Sequence, residues 1–229
     1  MFFSPVEPII IPNENMLVIS LLKSNDNDCL RGLEMISDDL LYDTKKYIFS
    51  KCTPHIVKLI QTSLNTNVIE SATRCLRTAV ESNPDNVEML MISSTIESIC
   101  HIFNQEFTKI TTEHTIHILH AISKYSSIAL TNSLDYNRFF QFICNDENPN
   151  IEKRLLSSIL LNITQTSVSD YLISQIAQLM QLCTHQDNQI SFNSLSSLIN
   201  VARVSSVNSI PIELTSFLCD KLMDAKLHK

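Results

Sequence analysis

Apolar and polar residues alternate along this chain with the three-to-four-residue rhythm of helices that bury one face. No segment sustains period-two alternation between turns, so the pattern predicts an all-α chain. Within that rhythm one offset recurs: a small residue, an aliphatic four positions on, then Asn or another small residue, and usually a further aliphatic. Gly32, Ile36 and Asp38 make the first copy, and Ala72, Leu76, Thr78 and Ala79 the second. Thr115, Leu119, Ala121 and Ile122 follow; then Leu156, Leu160, Asn162 and Ile163; then Ser194, Leu198, Asn200 and Val201. The copies start 40, 43, 41 and 38 residues apart, the period of a stacked helical repeat. That predicts a right-handed α-solenoid of about five repeats, each unit covering the apolar face of its neighbour.

The offset places long helices over roughly 26–41, 66–82, 108–125, 149–165 and 187–204. Between them the pattern predicts helices at about 15–23, 54–63, 94–104, 135–144, 171–183 and 212–226, with a short extra helix near 85–92. Thr53-Pro54, Asn83-Pro84 and Asn148-Pro149 read as helix starts, a capping side chain followed by a proline at the first helical position. Residues 1–13 are expected to form an irregular N-terminal segment, and 14–229 a single repeat domain.

The stretch from Asn67 to Asn104 resembles an armadillo repeat, running through a third helix into the first and second helices of the next unit. Asn162 and Asn200 match the asparagine that armadillo third helices often point into the inner groove. Two departures stand out. Cys52-Thr53 and Ser93-Ser94 occupy positions where armadillo units often carry Gly. Ser158 and Ser196 replace the tryptophan of the importin-α type, and the chain has no Trp. The resemblance therefore implies a binding scaffold that does not recognise basic localisation peptides in the importin manner. Met16 to Ile36 is also similar to the armadillo region of ARID/RSC-type subunits of SWI/SNF chromatin remodellers, without any ARID module.

Composition narrows the chemistry. With one Gly in 229 residues, the glycine-rich phosphate loops and the G-x-S-x-G nucleophile elbow cannot be written. The net charge is −7, and residues 1–43 hold eight acids against Lys23 and Arg31. A partner with a basic surface near the N-terminal end is expected. No Lys/Arg cluster supplies the counterion-release term of nucleic-acid binding, so no direct nucleic-acid contact is expected. Seven singly placed cysteines without a C-x-x-C read as buried thiols of an intracellular, cytoplasmic or nuclear protein. The first residues lack a basic region and are interrupted by Pro5, Pro8 and Pro12, so they are not expected to be a signal peptide. No apolar run is long enough to cross a membrane.

The chemistry that remains is recognition. In each long helix, positions 0, +4 and +7 from the small residue form the buried stripe, which leaves −1, +2, +6 and +9 facing the groove. The expected partner-binding residues are Glu34, Asp38, Arg74, Thr78, His114, His117, Asn162, Ser196, Asn200 and Arg203, with Arg31, Glu81, Lys124, Gln165 and Asn193 on the same face. Asn can both donate to and accept from a backbone amide, which suits an extended peptide. Five units would make a groove on the order of 50 Å long. Alanine at both Asn162 and Asn200 should then weaken binding without loss of helicity.

His114, His117 and His120 share one helix, but i and i+6 lie about 120° apart, so no metal site is expected. Asp26-x-Asp28 begins like a calcium loop, then fails at Arg31 and Ser37. No catalytic residue and no cofactor is expected. The reading is a non-catalytic protein-interaction scaffold or complex subunit. An armadillo subunit of a remodelling complex and an armadillo-type exchange factor of Hsp70 chaperones are the alternatives that the resemblance implies.

Overall fold

The computed structural model describes residues 14–41, 46–105, 107–204, 214, 216, 217, 219 and 220, all helical or in connections, with no strand among them. The chain divides into two compact units, Met1–Ser82 and Asn83–Lys229.

The first unit holds α1 (Glu14–Leu21), α2 (Asp26–Leu41), α3 (Lys46–Thr62) and α4 (Thr66–Ser82). The two long helices, α2 and α4, pack against each other, and α3 lies against both. Gly32 is what lets α1 approach α2. A Cβ at this position would meet Leu21 Cβ at 3.1 Å and Leu22 Cδ2 at 3.2 Å. Asp26 and Asp28 sit in the first turn of α2, where the partial positive charge of the helix end favours acids. Asn65, just before α4, donates to Asp26 at 2.9 Å and ties the start of one long helix to the approach of the other.

The second unit repeats a triad three times. Each triad is a short helix, a middle helix and a long one. The first is a 3-10 helix (Pro84–Leu90), α5 (Ser93–Asn104) and α6 (Lys109–Ser126). The second is a 3-10 helix (Ser127–Leu130), α7 (Tyr136–Cys144) and α8 (Asn150–Thr166). The third is α9 (Asp170–Ser174), α10 (Ile176–Leu182) and α11 (Asn188–Val204). The long helices α6, α8 and α11 lie side by side, each backed by its middle helix.

The small-residue offset is the register of this packing. Ala72, Thr115, Leu156 and Ser194 are fully buried, and so are Leu76, Leu119, Leu160 and Leu198 four residues later. Gly32 and Ile36 take the same places in α2. At +7, Ala79, Ile122, Ile163 and Val201 complete the stripe, while α2 has the half-buried Asp39. Phe139 and Phe140 of α7 are buried, Phe139 meeting Phe103 edge-on with centroids 6.3 Å apart. Such aromatic pairs contribute about 1 kcal/mol beyond the area they bury.

Four local expectations differ from the structure. Pro54 lies inside α3, not at its start, and Thr53 turns its hydroxyl back to the Phe49 carbonyl at 2.7 Å instead of capping. Asn83, by contrast, caps as expected, accepting from the Asp85 amide, and opens the expected short helix, which is of 3-10 type. Pro149 itself holds the cap position of α8 with no side-chain cap, because Asn148 donates to the Phe142 carbonyl at 2.9 Å. The helix expected over 171–183 is broken at Gln175 into α9 and α10. Cys144 and Cys219 are exposed, whereas Cys29, Cys52, Cys75, Cys100 and Cys183 are buried thiols. The expected segment 1–13 and most of 212–226 lie outside the described residues.

Candidate functional site

The residues opposite the buried stripe form a ladder of side chains over α6, α8 and α11. At +2 stand His117, Ser158 and Ser196; at +6, Ala121, Asn162 and Asn200; at +9, Lys124, Gln165 and Arg203. Those at +2 and +6 are half-buried, because neighbouring long helices close over their flanks. Lys124, Gln165 and Arg203 are exposed. His114 is half-buried at the N-terminal end of the α6 row. In the first unit Arg31, Glu34 and Asp38 of α2, and Arg74 and Glu81 of α4, are exposed, with Thr78 half-buried.

The asparagines do more than face outward. Asn162 Nδ2 donates to Ser123 Oγ at 3.0 Å, and Asn200 Nδ2 donates to Thr164 Oγ1 at 3.4 Å. Each carboxamide thus reaches back to a hydroxyl on the preceding long helix, which restrains it and leaves its oxygen without a hydrogen bond among the described residues. Asn193 goes further. It is 2% exposed and donates to Ser157 Oγ at 3.0 Å. Expected on the groove face, it is instead a buried stitch between α11 and α8. Its oxygen is also taken, by Gln189 Nε2 at 2.9 Å.

One rung was missed by the sequence reading. Position −5 points to the same side as +2, +6 and +9. There α6 and α8 carry Ile110 and Ile151, both exposed, at 49% and 62%. Two exposed isoleucines at one register position of neighbouring helices make an apolar step beside the polar ladder. The 41-residue repeat that relates them was visible in the sequence, but apolar residues on a face assigned to solvent carried no signal.

The histidines of α6 do not converge. Among the described residues no group of three or more His, Cys, Asp or Glu is placed to hold a metal. His117 Nε2 lies 3.7 Å from Glu152 Oε1 of α8, a carboxylate that is almost fully buried. His120 is half-buried; burial, then the charges of Lys124 and His117, push its pKa down from 6.5 to about 4. Between those values the unfolded chain binds a proton that the folded chain refuses, so stability falls as pH drops through that window. His120→Gln is expected to flatten the stability–pH curve there by on the order of 2 kcal/mol, read by urea denaturation at pH 7 and pH 4.5.

Arg154 of α8 binds Asp187 at 2.7 Å, and the same carboxylate accepts from the Gln189 and Ile190 amides at the start of α11. These hydrogen bonds and the guanidinium hold Asp187 below the usual carboxylate range against its desolvation.

No protein-family model matches the chain, and no curated protein matches it in sequence. Solved structures do match. A computationally designed armadillo repeat protein for modular peptide recognition aligns with a TM-score of 0.66, at 11% identity, over 83% of this chain and 82% of that one. This is an armadillo-repeat fold. A second designed armadillo repeat protein, in complex with the peptide (KR)4, aligns with a TM-score of 0.62 at 12% identity, over 91% of this chain and 87% of that one. An engineered protein from a structural genomics consortium gives 0.63 at 15% identity, over 90% and 87%. In armadillo terms α2 and α4 of the first unit and α6, α8 and α11 of the second correspond to third helices, and the ladder lies on the last three. No helix of the described residues is long and apolar enough to cross a membrane.

Proposed function

We propose that this chain is a non-catalytic scaffold that binds an extended peptide or protein segment along the third helices α6, α8 and α11 of its second unit. The observation that carries the reading is the pair Asn162 and Asn200, each restrained by a hydroxyl of the preceding third helix. A carboxamide fixed in this way can meet a peptide backbone without first losing rotamer entropy. Repeated one helix apart, such groups recognise backbone at regular intervals and leave side-chain selection to the residues around them. The designed neighbour in complex with (KR)4 supports the mode of binding.

The flanking residues give the selection. Along α6 to α11 they are Lys124 and Arg203 with the isoleucine step, which favours a segment combining apolar and acidic or neutral residues. Along α2 the exposed Glu34 and Asp38 favour a basic one.

Selection from a random displayed-peptide library against the folded chain tests the reading. Selected peptides should lose about tenfold in affinity when Asn200→Ala is introduced, as expected for a hydrogen bond worth about 1.4 kcal/mol. Ile151→Ser should cost a similar factor with no change in thermal stability, since Ile151 is already exposed. Selected binders indifferent to both changes would remove the third-helix surface as the site.

A further inference from the structure

The N-terminus of α8 carries a feature that recognition by the ladder does not explain. A polar cavity of about 650 Å³ opens there, between the end of α7, the first turn of α8 and the loop that leads from α10 into α11. Lys153 lines it. This lysine is 2% exposed as a residue: its stem is buried, and its ammonium opens into the cavity without a hydrogen bond or ion pair to any described residue. A lysine whose stem is held by burial and whose ammonium faces a cavity with no counter-charge is a fixed positive charge ready for an anionic partner. Glu152, next in sequence, does not supply the charge: it faces His117 of α6.

A second observation agrees with the first. The seventeen-residue α8 starts without a side-chain cap, so its first-turn amides have no side-chain acceptor from the residue at the cap position. Uncapped amides and the aligned peptide dipoles of a long helix favour an anion at this end. Asn150, in that first turn, lines the cavity with Gln181, Thr184 and His185, all able to donate hydrogen bonds. Two acids also line it. Asp187 is neutralised by Arg154 at 2.7 Å, and Asp146 is exposed to water at the rim. The buried charge of the cavity is therefore positive.

The geometry points to a binding site for a small oxyanion ligand, a phosphorylated or carboxylated molecule, seated between Lys153 and the first turn of α8. No residue of the cavity belongs to the third-helix ladder, so the site stands or falls apart from peptide binding.

The test uses the whole chain, titrated with inorganic phosphate and, separately, with succinate at constant ionic strength held with sodium chloride. Backbone amide resonances of Asn150, Ile151 and Lys153 should move along a single saturable curve with one of the two anions, and the preferred anion tells the phosphate source from the carboxylate source. Lys153→Met should weaken the binding at least tenfold, and Asn150→Glu, which adds a carboxylate at an exposed position without touching a buried group, should do the same. Lys153→Arg should stay within about threefold, because it keeps the charge. Absence of saturation with both anions would overturn the site, as would an unchanged affinity in Lys153→Met or, if that variant does not fold, in Asn150→Glu.

Discussion

Gly32→Leu is expected to destabilise the first unit by about 3 kcal/mol, the upper range for overpacking a contact that has no room. The reason is local. Leu21 Cβ, fixed to the backbone of α1, is 3.1 Å from where a Cβ would stand, so a longer side chain must push α1 off α2. Gly32→Ala separates the two effects that meet at this position. Alanine gains about 1 kcal/mol of helix propensity in mid-helix. Against that, Leu22 Cδ2 at 3.2 Å can rotate away, but Leu21 Cβ cannot. The alanine variant should therefore fall within about 1 kcal/mol of the parent, well above leucine. Urea denaturation followed by circular dichroism measures both. A leucine variant as stable as the parent would show that α1 does not depend on this contact.

Leu160→Ala is the second large effect, at about 3 kcal/mol, because the side chain is fully buried at +4 of α8 and its loss leaves a cavity in the spine. Its neighbour makes the control. Leu161 is half-buried at +5, and Leu161→Ala should cost less than about 1 kcal/mol. The contrast between two adjacent leucines tests the register of the repeat and not merely the presence of a core. Equal costs would mean that the spine does not run through the 0, +4, +7 stripe. Since the long helices each present the same stripe, Leu76→Ala, Leu119→Ala and Leu198→Ala should resemble Leu160→Ala.

What made the long helices legible was their redundancy. Five copies of one offset fix a period and a face together, and α2 and α4 begin and end where the pattern placed them. The middle helices carry no such repeat, so Thr53-Pro54 reads as a helix start although α3 begins at Lys46. Pro54 resembled a first-turn proline because a threonine precedes it, but the apolar residues before it had enough burial to carry the helix through. The cap expected at Asn148 failed for a related reason. Asn148 has the right identity to cap α8, yet its nearest acceptor is the Phe142 carbonyl, a tertiary fact that no local rule contains.

The candidate surface was partly legible. The face of Ser196, Asn200 and Arg203 followed from helical geometry alone. Two things did not. Asn193 shares that face by angle, but the approach of α8 buries it against Ser157. Ile110 and Ile151 were hidden by the assumption that a solvated face is polar. Lys153 was invisible for the opposite reason: in sequence it is one lysine among the charges of a helix start, and only its burial beside an uncapped end makes it unusual.

The hydroxyl contacts of Asn162 and Asn200 set unequal limits on how this surface can diversify. A change at either asparagine alters a stitch between helices along with any grip on a ligand, so drift there is penalised twice. Ser158, Gln165, Lys124 and Arg203 have no such duty among the hydrogen bonds of the described residues. New preferences for a ligand should therefore arise first at these four, while the two asparagines stay in place as a frame that many sequences can share.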